Sequence, residues 1–99
     1  VSHSYQILKK LGNFPDSNII VMMYNDIANN SQNPFPGKLY NEPNGIDVYD
    51  DIKISYQGNQ VTSKNFLNII QGIHEGDTLN GPVLESKKND NIFIYYSDH

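Results

Sequence analysis

The 99-residue sequence contains no cysteine and no arginine. The first absence removes disulfides, thiolate metal sites and a thiol nucleophile from these residues, so any cysteine chemistry must draw its sulfur from elsewhere. The second leaves seven lysines to balance eleven acids, a net charge of -4. With no basic surface to neutralise phosphates, nucleic acid is not expected as a partner. Long apolar runs are missing too: none approaches the roughly 20 residues of a membrane span. Val1-Ser2-His3-Ser4 likewise lacks the apolar core of a signal peptide.

What is present is a chain at the low end of domain size, one small domain or part of one. Its fourteen asparagines and twelve isoleucines read as a compositional bias rather than a motif. Asn29-Asn30-Ser31 is nevertheless a formal glycosylation acceptor should the protein be secretory.

Two helices and two apolar strands are expected. Val1, Tyr5, Leu8 and Leu11 recur at helical spacing, with Lys9-Lys10 suiting the carboxyl end, Gly12 as the cap and Pro15 barring continuation. Ile19 to Tyr24 is apolar throughout, the pattern of a strand covered on both faces. From Asn25 to Val61 prolines and glycines break the periodicity. Only Ile52, Ile54 and Tyr56 alternate, as a short strand at a sheet's rim would. The aromatics Phe35, Tyr40, Tyr49 and Tyr56 favour an ordered surface excursion over a linker. Thr62 or Ser63 then caps a second helix with Phe66, Ile69, Ile70 and Ile73 on one face and Gly72 and Gly76 ending it. Ile92 to Tyr96 reads as a buried parallel strand. Helix, strand, excursion, helix, strand is the order of part of a doubly wound α/β sheet.

Ligands of such sheets sit at the carboxyl ends of the strands, which draws attention to Ser97-Asp98-His99. The imidazole of His99 titrates near neutrality and suits proton transfer. The residues alone leave open whether it does chemistry or hydrogen-bonds at a sheet edge. Strand alternation sends Asp98 to the opposite face. His3 reads as a helix-surface residue and His74 as a solvated cation at a helix end. The three histidines lack metal-ligand spacing, and neither Gly72 to Gly76 nor Gly58-Asn59-Gln60 has the order of a phosphate loop, so no metal or cofactor is expected. Met22-Met23 reads as core; Asp50-Asp51 and Lys87-Lys88 read as solvated turn charges.

Several strings carry a specific likeness, in order and from end to end. They include Asn18 to Ala28, Asn33-Pro34-Phe35-Pro36-Gly37-Lys38, Asn41 to Tyr49, Val61-Thr62 with Asn65-Phe66-Leu67, and Phe93 to His99. The chain resembles the legumain family of cysteine endopeptidases, peptidase family C13. The resemblance implies a caspase-like three-layer α/β sandwich with a mostly parallel sheet, with residues 1–99 as part of its catalytic domain. It implies cleavage of peptide or protein substrates after asparagine, more weakly after aspartate, in lysosomes or vacuoles. The family's Asp-His-Gly motif is matched as far as Asp98-His99, making His99 the catalytic histidine. The nucleophilic cysteine, the glycine after the histidine and a substrate-binding arginine fall outside these residues, so a partial sequence, inactive alone, is expected. The catalytic subunit of GPI transamidase shares the His/Cys pair but typically has Gly-His where this chain has Asp98-His99. Two further classes are a non-catalytic homologue, which a missing downstream cysteine would mark, and a flavodoxin-like binding module, which an upstream phosphate loop would mark.

Overall fold

The computed structural model describes residues 1–98. Helix α1 (Ser2–Gln6) runs straight into a π-helical turn (Ile7–Leu11). Of the apolar stripe expected from spacing only Tyr5 is buried, between Ser2 and Gln6, while Val1 is exposed and Leu11 is 79% exposed. Polar anchoring explains the rotation. Gln6 Nε2 donates to Val48 O (2.9 Å) and Asp50 O (2.7 Å), so a buried carboxamide fastens the helix to a segment more than forty residues away. The Tyr5 hydroxyl donates to Asp16 Oδ1 at 2.6 Å, and Lys9 Nζ lies 3.2 Å from Asp16 Oδ2. Gly12 closes the helix as expected, but the left-handed residue is Asn13 (φ 55°). Gly12 is needed for room instead, since a Cβ there would lie 2.8 Å from the Phe14 ring.

Asp16 makes α1 sensitive to acid. The Tyr5 hydrogen bond first, and then Lys9, hold its carboxyl below the usual aspartate range. A group depressed in the folded state contributes stability above its unfolded pKa and loses it as pH falls through the folded one. Asp16→Asn is therefore expected to flatten the acid limb of a stability-against-pH curve in the window below the ordinary aspartate pKa of about 4. Denaturant midpoints measured across that window check it, and an unchanged limb would remove Asp16 from the role.

The expected sheet is absent from the described residues, which corrects the caspase-like, mostly parallel three-layer sandwich read from the sequence. Ile19 to Tyr24 finds one neighbour, the segment up to Gly58, and pairs with it in parallel at a single bridge, Met22 to Tyr56. Met23 N–H donates to Tyr56 O (3.0 Å) and Gly58 N–H to Tyr24 O (3.1 Å). The ladder fails at Ser55: both Ser55 and Tyr56 N–H converge on Val21 O, while Val21 N–H is diverted to Ser55 Oγ (3.1 Å). Two residues opposing one is a bulge, and it stops the pairing from propagating. Ile92 to Tyr96 is the second correction. Instead of a buried strand, it is 51–75% exposed at every residue and forms no backbone hydrogen bond with another described segment. A strand needs a neighbour on each side to bury such a run.

The excursion is ordered, as expected, and side chains do much of the ordering. Asn33 Nδ2 donates to Ala28 O (2.8 Å) and Lys38 O (2.9 Å), while its Oδ1 accepts from Phe35 N–H (3.0 Å). Asp47 Oδ1 accepts from Leu39 and Tyr49 N–H, both at 2.9 Å. Phe35 and Tyr40 meet edge to face at 5.1 Å. Tyr49 donates from its hydroxyl to Asn25 Oδ1 at 2.7 Å.

Helix α2 (Ser63–Gln71) keeps the expected cap and end, but of its expected apolar face only Ile69 is buried, Ile70 is exposed and Ile73 lies beyond the last turn. Thr62 is its N-cap, Oγ1 accepting from Asn65 N–H (3.1 Å), and Gly72 ends it in the left-handed region (φ 71°). From this helix Ile69 joins Tyr56 and Val83 in the core, with Ile20 and Met22 packed against them. Asn65, also buried, donates to Gln60 O (2.8 Å) and Asp77 Oδ2 (2.9 Å). The core thus lies between α2 and the Met22–Tyr56 crossing, with the chain's last segment outside it.

Candidate active site

Tyr96 brings the carboxyl-terminal segment to α2: its ring stacks on Phe66 with centroids 6.5 Å apart and planes within 14°. The spacing of Phe66 predicts a place on the apolar face of α2, and this contact gives it a positioning use as well. Two residues on, Asp98 Oδ2 accepts the Tyr96 hydroxyl at 3.0 Å. That hydrogen bond, and then the carboxylate's charge, push the Tyr96 hydroxyl above the usual tyrosine range. Asp98 is thus engaged by its own near neighbour, an interaction that i, i+2 spacing permits on one side of an extended chain. The catalytic residue expected from the sequence, His99, lies outside the described residues, and so does its alternation with Asp98.

The other histidines divide. His3 is exposed on α1, as expected of a helix-surface residue. His74 is more than a solvated cation: Nδ1–H donates to Thr78 O (3.0 Å) and Nε2 stands 4.0 Å from Glu85 Oε1. Beside it the fully buried Thr78 hydroxyl donates to Ile73 O (2.7 Å) and accepts from Glu75 N–H (3.1 Å), so this cluster fixes the exit from α2. Asp50 and Asp51 also do more than carry turn charge. The Asp50 carbonyl receives Gln6, and Asp51 (φ 54°) offers its carbonyl to the Tyr5 hydroxyl at 3.3 Å. Met22 packs against the core as expected.

A cleft of about 170 Å³ opens at the carboxyl end of Ile19 to Tyr24, lined by Met23 to Ala28 and Leu39. Asn25 stands at its polar edge, held at φ 64° with Oδ1 on Tyr49 and Nδ2 on Gln57 Oε1 (2.8 Å). No residue of this lining is a nucleophile activated by a base. Among the described residues, no three His, Asp or Glu side chains come together as a metal site would require. These residues can place a segment and hold hydrogen bonds; a covalent step needs groups beyond them.

The model of the peptidase C13 family matches residues 1–99, the whole chain. The chain belongs to peptidase family C13. Among curated C13 relatives it is 48% identical over 99 residues to the legumain of Rattus norvegicus, covering 98% of this chain and 22% of that protein. It is 50% identical over 100 residues to the vacuolar-processing enzyme delta-isozyme of Arabidopsis thaliana, covering 100% of this chain and 21% of the relative. The hemoglobinase of Schistosoma mansoni is 48% identical over 99 residues, 100% of this chain and 22% of that protein. The chain thus spans about a fifth of the length of these C13 proteins. Among the described residues no helix is long and apolar enough to cross a membrane.

Proposed function

We propose that these 99 residues are part of the catalytic domain of a legumain-like cysteine endopeptidase that hydrolyses peptide bonds after asparagine. The observation that carries the reading is the end-to-end C13 match; Asp98-His99, which resembles the first two residues of the family's Asp-His-Gly motif, supports it. In this reading His99 takes the proton from a cysteine thiol supplied by the rest of the protein and returns it to the leaving amine. Backbone N–H groups near the glycine that follows the histidine in the family receive the developing oxyanion. No cofactor takes part. The names legumain and vacuolar-processing enzyme among the relatives support a lysosomal or vacuolar setting. Asp16, whose carboxyl is held below the usual range, is suited to keeping its charge in such acidity.

The parent protein is expected to cleave peptides after asparagine, to spare the same peptides with alanine in that place, and to lose activity on thiol alkylation. The isolated 99-residue chain should give no turnover, having no thiol. Alkylation-resistant cleavage by the parent, or hydrolysis by the purified chain alone, would count against the proposal.

A further inference from the structure

We infer that Asn29 is an N-glycosylation site, the acceptor of an oligosaccharide when the protein passes through the secretory route. The inference rests on the lysosomal or vacuolar part of the reading above. Of fourteen asparagines, Asn29 alone has a serine or threonine two residues on, Ser31, with a residue other than proline between. Three neighbouring asparagines are committed to the fold. Asn25 bonds to Tyr49 and Gln57, Asn30 Oδ1 accepts Gln32 N–H at 2.9 Å, and Asn33 makes three bonds. Among the described residues the Asn29 carboxamide and the Ser31 hydroxyl form no hydrogen bond, and both residues are exposed.

The backbone beneath them is held. Asn30 N–H closes a turn onto Ile27 O (3.1 Å), Gly37 N–H donates to Ala28 O (2.7 Å), and Ala28 is buried. A fixed turn thus presents an uncommitted acceptor to solvent, and the side-chain amide can be withdrawn from it at no cost in native hydrogen bonds. Gly37 lies beside the Asn29 carboxamide: a Cβ there would stand in ordinary van der Waals contact with Oδ1, at 3.7 Å. In the transfer, Asn29 Nδ2 attacks the anomeric carbon of a lipid-pyrophosphate-linked oligosaccharide. The C–N bond forms as the bond to the pyrophosphate oxygen breaks, lipid pyrophosphate leaves with the electron pair, and one Nδ2 proton passes to a base of the transferase. Asn29 directly follows Ala28, one of the residues lining the cleft.

The test is to express the parent protein through a eukaryotic secretory pathway and map the peptide containing Asn29 before and after peptide N-glycosidase treatment, on retained and secreted pools alike. That peptide is expected to carry an N-linked glycan, with release converting Asn29 to Asp. Asn29→Gln and Ser31→Ala should each abolish it; Ser31→Thr should keep it. An unmodified Asn29 peptide in folded, secreted protein would overturn the inference. Glycan without hydrolysis after asparagine would sink the protease reading alone, and hydrolysis without glycan would sink this one alone.

Discussion

Replacing His99 with alanine in the parent protein is expected to lower kcat for cleavage after asparagine by about 10⁴-fold or more, as removal of the base from a nucleophile–base pair does elsewhere. The denaturation midpoint should stay where it was. On the proposed reading the loss is large because the imidazole would act twice, first removing the thiol proton and then protonating an amine that otherwise leaves as an anion. A second readout separates chemistry from folding. A thiolate stabilised by a neighbouring imidazolium reacts at lower pH than a lone thiol. The pH profile of alkylation should therefore move toward the ordinary cysteine range in His99→Ala. Retained turnover, or an unmoved alkylation profile, would take His99 out of the catalytic role.

The largest effect on stability is expected at Tyr56. Its side chain is 1% exposed, packs with Ile69 and Val83, and donates its hydroxyl to Pro82 O at 2.7 Å. Truncation to alanine should cost about 3–5 kcal/mol, since the transfer free energy of the ring is lost and a cavity remains beside α2. Tyr56→Phe keeps the ring and should cost about 1 kcal/mol, the Pro82 carbonyl being left without its donor. Urea midpoints at constant m-value distinguish the two. Equal losses would assign the stability to the hydroxyl and would contradict the packing account. Burial also pushes the Tyr56 hydroxyl above the usual tyrosine range. Its contribution is thus present below the ordinary tyrosine pKa and lost as pH climbs through the raised one. Gly81 belongs to the same arrangement, because a Cβ there would overlap the Tyr56 hydroxyl and ring.

Local signals were legible where one residue decides the outcome. Thr62 and Gly72 bound α2 because a hydroxyl acceptor and a left-handed residue are short-range requirements. The ordered excursion followed from its aromatics. Pairing between distant segments was not legible: Ile19 to Tyr24 has a strand's composition, yet whether a ladder forms depends on Ser55, whose hydroxyl intercepts Val21 N–H. Nor does the hydropathy of Ile92 to Tyr96 say whether a neighbour is there to bury it. Burial of polar residues follows from partners that hydropathy does not register. Gln6 and Asn65 are buried because each finds backbone acceptors elsewhere in the chain. Asparagines set aside as compositional bias supply three left-handed positions, Asn13, Asn25 and Asn44. Asparagine's tolerance of that region was a usable signal. The candidate site was legible only through resemblance, since Asp98-His99 specifies no reaction by spacing, and the Tyr96 contacts with Phe66 and Asp98 required coordinates.

The self-bonded excursion also bears on the order of folding. Met23 and Tyr56 must meet across more than thirty residues, and closing a flexible loop costs entropy that grows with its length. Most hydrogen bonds of Asn33 and Asp47 span ten residues or fewer. Contacts of that range form quickly and early. Once they hold, the segment behaves as a short, stiff connector, and the search that brings Tyr56 to Met23 is made by a chain whose effective contour is much reduced.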